Sequence, residues 1–180
     1  GCWFNVGKTC AEETFFLVLG ILHGVLTAEP ILRPLTAENF RDGGFKCFKE
    51  RGVQDVCIVI DATELFMQTP GDPELQKLTW SVYKHHNTLK ALIGMRQDGT
   101  VCFVSDCFGG KISDKQITEA SKLTDFLPEN ALVMADKGFN VHELLAEAGM
   151  KLLLPPMCQG GGQFTRDQLI LTRDVAAVRI

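Results

Sequence analysis

Two aspartates carry the clearest chemical signal in this chain. Asp61 closes the apolar, β-branched run Val56–Ile60, and Asp136 closes a second apolar run, Ala131–Ala135. An acid that ends a buried strand keeps its stem among apolar neighbours and its carboxylate in water. Two such acids at the same edge of neighbouring strands make a site for a hard divalent cation. Mg²⁺ takes oxygen ligands, usually a few carboxylates completed by water and phosphate. Ions held in that way activate the attacking oxygen and stabilise the leaving oxygen of a phosphodiester. The plain alternative is that an Asp after a strand simply starts a turn.

The other polar candidates are weaker. Glu64 lies three residues from Asp61, and an odd offset on a strand points to the opposite face, so Glu64 should diverge from Asp61 if the strand runs that far. Asp106 ends a third apolar run and could lie near the pair or serve as a turn residue. Asp114 is a helix-start residue, and Asp167 sits in a helical first turn, where negative charge favours the dipole. His85-His86 lacks any matching Cys or His cluster for zinc. Lys84, His85, His86 and Lys90 could place positive charge near nucleic acid or form an ordinary solvated strand edge. Trp80 and Tyr83 could stack on bases, but packing is the simpler expectation.

The elements that would position these residues follow from pattern. Val56–Ile60 and Thr88–Met95 are strand candidates. Gln97-Asp98-Gly99 is a hairpin turn leading into a third strand, Thr100–Val104. Ser113-Asp114-Lys115-Gln116 is a capping box opening a helix to about Leu123. Ala131–Ala135 is the fourth strand. Val141–Ala148 is a helix closed by Gly149, and Lys151–Leu154 is a short fifth strand stopped by Pro155-Pro156. Thr165-Arg166-Asp167-Gln168 is a second capping box, opening a helix with Leu171, Val175 and Val178 along one face. The order is β-β-β-α-β-α-β-α. Short turns make the first three strands an antiparallel meander, and right-handed crossovers should add the later strands in parallel. The expected fold is α/β: a mixed sheet flanked by helices.

Composition narrows the function classes. The 180 residues carry 18 Lys+Arg against 22 Asp+Glu, a formal charge of −4, and 46% are hydrophobic. That excludes a disordered chain and a polybasic binder. The seven cysteines are scattered, without a C-x-x-C pair, and point to reduced thiols in an intracellular protein. Phe15–Ala28 is apolar but too short to span and is interrupted by His23, so no membrane is expected. Gly7-Lys8-Thr9 resembles the end of a phosphate-binding loop, but Cys2 stands where that loop needs glycine. Residues 1–34 carry no assignable pattern. The chain begins at Gly1 and stops at Ile180 inside a helical pattern, which reads as a fragment.

Several segments together resemble a known family. Ile58-Val59-Ile60-Asp61-Ala62-Thr63-Glu64 resembles the first acidic motif of DDE-superfamily transposase endonucleases of the Harbinger/IS5-like branch. Val133-Met134-Ala135-Asp136-Lys137-Gly138-Phe139 resembles the second. Trp80 to Thr88, Val104 to Lys115, Pro155-Pro156 and Gln163-Phe164-Thr165 are similar to further segments of that family, in consistent order over residues 35–180. The resemblance implies a ribonuclease-H-like fold and a divalent-metal-dependent DNA endonuclease or strand-transfer domain working in the nucleus on DNA. Asp61 and Asp136 match two members of an acidic triad that binds Mg²⁺ or Mn²⁺. The third member would be a Glu a few residues past Ile180, so the chain as given should be incomplete and inactive by itself. DNA binding would then come from a separate module or partner protein. The competing expectation is a domesticated or decayed relative that binds without cutting.

Overall fold

The computed structural model describes residues 8–28, 46–156 and 164–178. The chain divides into two units, Gly1–Arg33 and Pro34–Ile180. In the first unit, helix α1 (Lys8–Ala28) is 21 residues long, and its described side chains from Thr9 to Leu26 are exposed. This corrects the length on which the expectation of no membrane rested. The helix starts well before Phe15, and Thr9–Leu26 is long and apolar enough to cross a membrane by length and composition. A signal sequence or a helix buried in a soluble protein meets the same criterion.

The second unit is built on a seven-stranded mixed sheet of order β2-β3-β1-β6-β7, with β4 and β5 also paired to β3. Its centre is β1 (Val56–Phe66), preceded by the short helix α2 (Lys46–Glu50). After β1 come helix α3 (Pro73–Thr79), β2 (Trp80–Ser81) and β3 (His86–Met95). Strands β4 (Val101–Val104) and β5 (Phe108–Gly109) follow. Next are α4 (Asp114–Ala120), α5 (Leu123–Phe126) and β6 (Leu132–Met134). The described chain finishes with α6 (His142–Glu147), β7 (Lys151–Leu153) and α7 (Arg166–Val178).

The expected meander is present. β1 runs antiparallel to β3, from Val59 opposite Met95 to Phe66 opposite Thr88, and β3 runs antiparallel to β4. The Asp98-Gly99 turn closes with Arg96 N donating to Thr100 O at 2.9 Å. β6 lies parallel to β1, and β7 parallel to β6. A curled mixed sheet flanked by helices, with these pairings, is compatible with a ribonuclease-H-like fold.

Strand alternation divides the core between the two faces. Ile58, Ile60, Leu92 and Val133 pack with Ile117, Leu123 and Leu145 from α4, α5 and α6. Val56, Val59 and Met134 pack with Phe48 of α2 and Val175 of α7. Val56 and Val59 share a face despite their odd spacing because the register against β6 shifts between Val56 and Ile58. An ion pair from Arg51 Nη1 to Asp174 Oδ1, at 2.8 Å, also ties α7 to the segment after α2.

Local differences from the sequence reading have physical causes. β1 continues six residues past Ile60 because β3 supplies a partner as far as Phe66. The helix opened by Ser113 stops earlier: Lys122 turns left-handed at φ 54°, and α5 begins anew. Both capping boxes form, Ser113 with Gln116 and Thr165 with Gln168. On α7, Val175 is fully buried, whereas Leu171 is 36% exposed. The side chain of Val178 lies outside the described residues.

Candidate active site

The parallel pairing of β1 and β6 positions the two aspartates. Their register places Ile58 beside Val133 and Val59 beside Met134. Carried two residues onward, it sets Asp61 level with Asp136. Asp61 therefore lies inside a strand rather than ending it, and Asp136 lies on the turn after β6. Each carboxylate is oriented by its own backbone. Asp61 Oδ1 accepts from Ala62 N at 2.9 Å, and Asp136 Oδ1 accepts from Lys137 N at 2.6 Å.

Beyond Val59, β1 has no partner on its β6 side among the described residues. A cleft of about 590 Å³ opens there, lined by Asp61, Glu64, Tyr83, Lys84, Lys90, Asp114 and Asp136, among others. The unpartnered edge explains why Glu64 shares the cleft with Asp61 instead of diverging from it. A cleft wrapped around one strand edge is reached from both faces. Glu64 stands across from Lys90 in the β1–β3 ladder, and its Oε2 accepts from Thr88 Oγ1 at 2.9 Å. Lys90 Nζ lies 2.8 Å from Asp114 Oδ1, so Asp114 is a wall of the cleft as well as a helix-start residue.

Other candidates fall elsewhere. Asp106 is exposed and does not line the cleft. Asp167 lies in the first turn of α7, as expected. His86 Nδ1 is 2.9 Å from Asn87 O, and its ring meets Phe66 edge-on at 5.3 Å. Among the described residues, no three His, Cys, Asp or Glu groups come together to hold a metal. A larger groove of about 720 Å³, lined by Leu78, Phe108, Lys111 and Ile112, is mostly apolar and contains neither Asp61 nor Asp136. The smaller, polar cleft is the one equipped for charge-based chemistry.

Tyr83 overturns the packing expectation: it is 81% exposed at the rim of the cleft. The sequence signal for this was the polar run Tyr83-Lys84-His85-His86, which has no apolar alternation to bury the ring.

A family model described as DDE superfamily endonuclease matches residues 60–180, beginning one residue before Asp61 and including Asp136. The chain belongs to this family. Neither the curated proteins nor the solved structures gave a match. Membership makes this DDE domain a transposase-like nuclease by class and implies DNA as its substrate. DDE endonucleases generally use divalent metal. The donor set suits one: Asp61 and Asp136 present hard oxygens in a shared polar cleft, the ligand chemistry that Mg²⁺ and Mn²⁺ prefer.

Proposed function

We propose that this chain is the metal-dependent endonuclease domain of a Harbinger/IS5-like transposase-derived protein, with a ribonuclease-H-like fold, acting on DNA in the nucleus. The observation that carries the reading is that Asp61 and Asp136, each two residues past the last β1–β6 pair, line one polar cleft within the family match. Asp61 and Asp136 would hold Mg²⁺ or Mn²⁺. The ion supplies activation of the attacking oxygen and neutralisation of charge at the phosphate.

The chain's own residues prepare that chemistry. Asp61 is fixed by the β1–β3 ladder, so its carboxylate meets the incoming phosphodiester in a set place. Asp136 is oriented by the Lys137 amide. Lys90 is held by Asp114 and offsets part of the acidic charge of the cleft walls. A separate DNA-binding module or partner protein would bring the substrate, because the formal charge of −4 gives no broad attraction for a polyanion.

A second reading is a domain that keeps the fold and binds DNA without cutting it. It is favoured by the lack, among the described residues, of three His, Cys, Asp or Glu side chains placed to hold one metal ion, although Glu64 and Asp114 line the same cleft.

Nicking of supercoiled DNA separates the two. This chain, and a version continued past Ile180, should be assayed with Mg²⁺ and with Mn²⁺. The nuclease reading expects metal-dependent nicking by the continued version, abolished by Asp61→Asn or Asp136→Asn. No nicking by either version, or nicking that survives Asp61→Asn, removes it. Mg²⁺ titration should show binding at about millimolar concentration, weakened by both substitutions.

A further inference from the structure

The tip of the β2–β3 hairpin is an exposed aromatic on an immobilised base, and it forms part of the cleft that holds Asp61 and Asp136. Tyr83 and Lys84 line that cleft, whereas Trp80 and Val82, on the alternate positions, line a neighbouring apolar groove with Lys77 and Lys111. Val82 and Tyr83 are 74% and 81% exposed. The hairpin does not hold its shape by burying these side chains.

Its base is held by buried polar groups instead. Asn87 is 1% exposed and donates through Nδ2 to Gln76 O at 2.9 Å and to Thr79 Oγ1 at 2.8 Å. Ser81, also 1% exposed, accepts from the Lys84 amide at 3.1 Å, and Trp80 pairs with Asn87 across the ladder. His85, at φ 50°, closes the turn. The Lys84 ammonium sits 4.9 Å from the Tyr83 ring centroid. Within the cleft, Lys90 is engaged with Asp114, while Lys84 has no carboxylate partner among the described residues.

We infer that Tyr83 and Lys84 form a nucleic-acid contact beside the acidic cleft: Tyr83 stacks on an unpaired base flanking the phosphodiester, and Lys84 meets the adjacent phosphate. This rests on the nuclease reading for the choice of DNA as occupant. The remaining arguments come from the hairpin itself. A flat π-face in water, with a cation beside it, is the combination that single-stranded nucleic acid fits. A preorganised base keeps the ordering cost of that contact low. The turn that carries Tyr83 and Lys84 is itself part of the cleft lining, so a base stacked on Tyr83 would lie beside the site of Asp61 and Asp136.

The test is binding, without divalent metal, of the full chain to a duplex with a short unpaired flank containing 2-aminopurine. Anisotropy reports affinity, and quenching of the base analogue reports stacking. Tyr83→Ala and Tyr83→Leu should each weaken binding about tenfold and abolish quenching, while Tyr83→Trp keeps both. Lys84→Ala should weaken binding and lower the slope of log affinity against log salt by about one. Quenching and affinity unchanged in Tyr83→Ala would overturn the inference. Because no metal is present, this result is independent of cleavage. Tyr83-dependent quenching in a protein that never nicks supports the contact even as the nuclease reading fails. Nicking with no Tyr83 dependence in either readout sinks the contact and leaves the nuclease standing.

Discussion

Lys90 and Asp114 meet at 2.8 Å, Nζ to Oδ1, with side chains only 12% and 28% exposed. Lys90 also donates to Ile112 O at 3.2 Å. One ammonium thus fastens the middle of β3 both to the loop before α4 and to the first residue of that helix. The ion pair is structural and also forms a wall of the acidic cleft.

Removing the ammonium while keeping most of its length should leave Asp114 partly buried and without its counter-charge. Lys90→Met is expected to lower stability by about 2 kcal/mol, read as a lower urea midpoint at unchanged slope. The double variant Lys90→Met, Asp114→Asn should recover part of the loss. Strict additivity of the two single effects would show that the pair is not coupled.

Gly109 sits where the chain passes against α3. A Cβ there would collide with the carbonyl oxygen of Leu78, which is backbone and cannot swing away. Gly109→Ala should cost about 2 kcal/mol or more in thermal or urea unfolding. Gly71→Ala, with open space around the new methyl group, should fall within about 0.5 kcal/mol of the parent. Equal stability of the two variants would contradict the close approach.

The capping box at Ser113 is reciprocal: Ser113 Oγ accepts from Gln116 N at 3.2 Å, and Gln116 Oε1 accepts from Ser113 N at 3.1 Å. Ser113→Ala should destabilise the domain by about 1 kcal/mol, and Ser113→Asp, which caps equally well, by far less. Circular dichroism melts of the two variants should differ accordingly.

Burial pushes the Cys102 thiol up to about 11, and the side chain is only 4% exposed. Its thiolate is therefore scarce at pH 8, roughly one part in a thousand. Iodoacetamide at pH 8 should label exposed Cys107 in the native chain and spare Cys102 until denaturant is added. Rapid native labelling of Cys102, located by peptide mass spectrometry, would show that the β3–β4 region opens locally.

Much of this architecture was legible because its signals are local. Val56–Ile60 and Ala131–Ala135 are apolar runs, and the structure places both in β1 and β6 or at their ends. The Gln97-Asp98-Gly99 turn and both capping boxes depend on residues within four positions of one another. What the sequence concealed depends on distant partners. The continuation of β1 through Ala62–Phe66 has little apolar alternation and exists because Thr88–Leu92 lies alongside. The two-residue strands β2 and β5 are defined wholly by β3. Helix α3 did carry a readable signal in Asp72-Pro73-Glu74, an N-cap followed by proline in the first turn.

The site divides in the same way. The alignment of Asp61 with Asp136 follows from apolar patterning plus one parallel crossover, so it was open to inference. The position of Glu64 was not, because alternation sets the face a side chain leaves from and not whether a cleft at the strand edge is reached from both faces. The exposure of Tyr83 was half legible: the polar run Tyr83-Lys84-His85-His86 pointed to it, and the hairpin that presents the ring did not. Aromatic residues usually bury, and only the polar underpinning by Asn87 and Ser81 lets a hairpin present one to solvent.

The two aspartates belong to parts of the molecule that open on different timescales. Asp61 lies within an eight-residue antiparallel ladder to β3, whose bonded amides should exchange with solvent through rarer openings than those of a short strand. Asp136 lies on the turn after a three-residue strand, where local opening is cheaper. Anything captured between them would be gripped by one jaw that opens rarely and one that releases more often. Its departure rate would then be governed by the Asp136-Lys137-Gly138 turn.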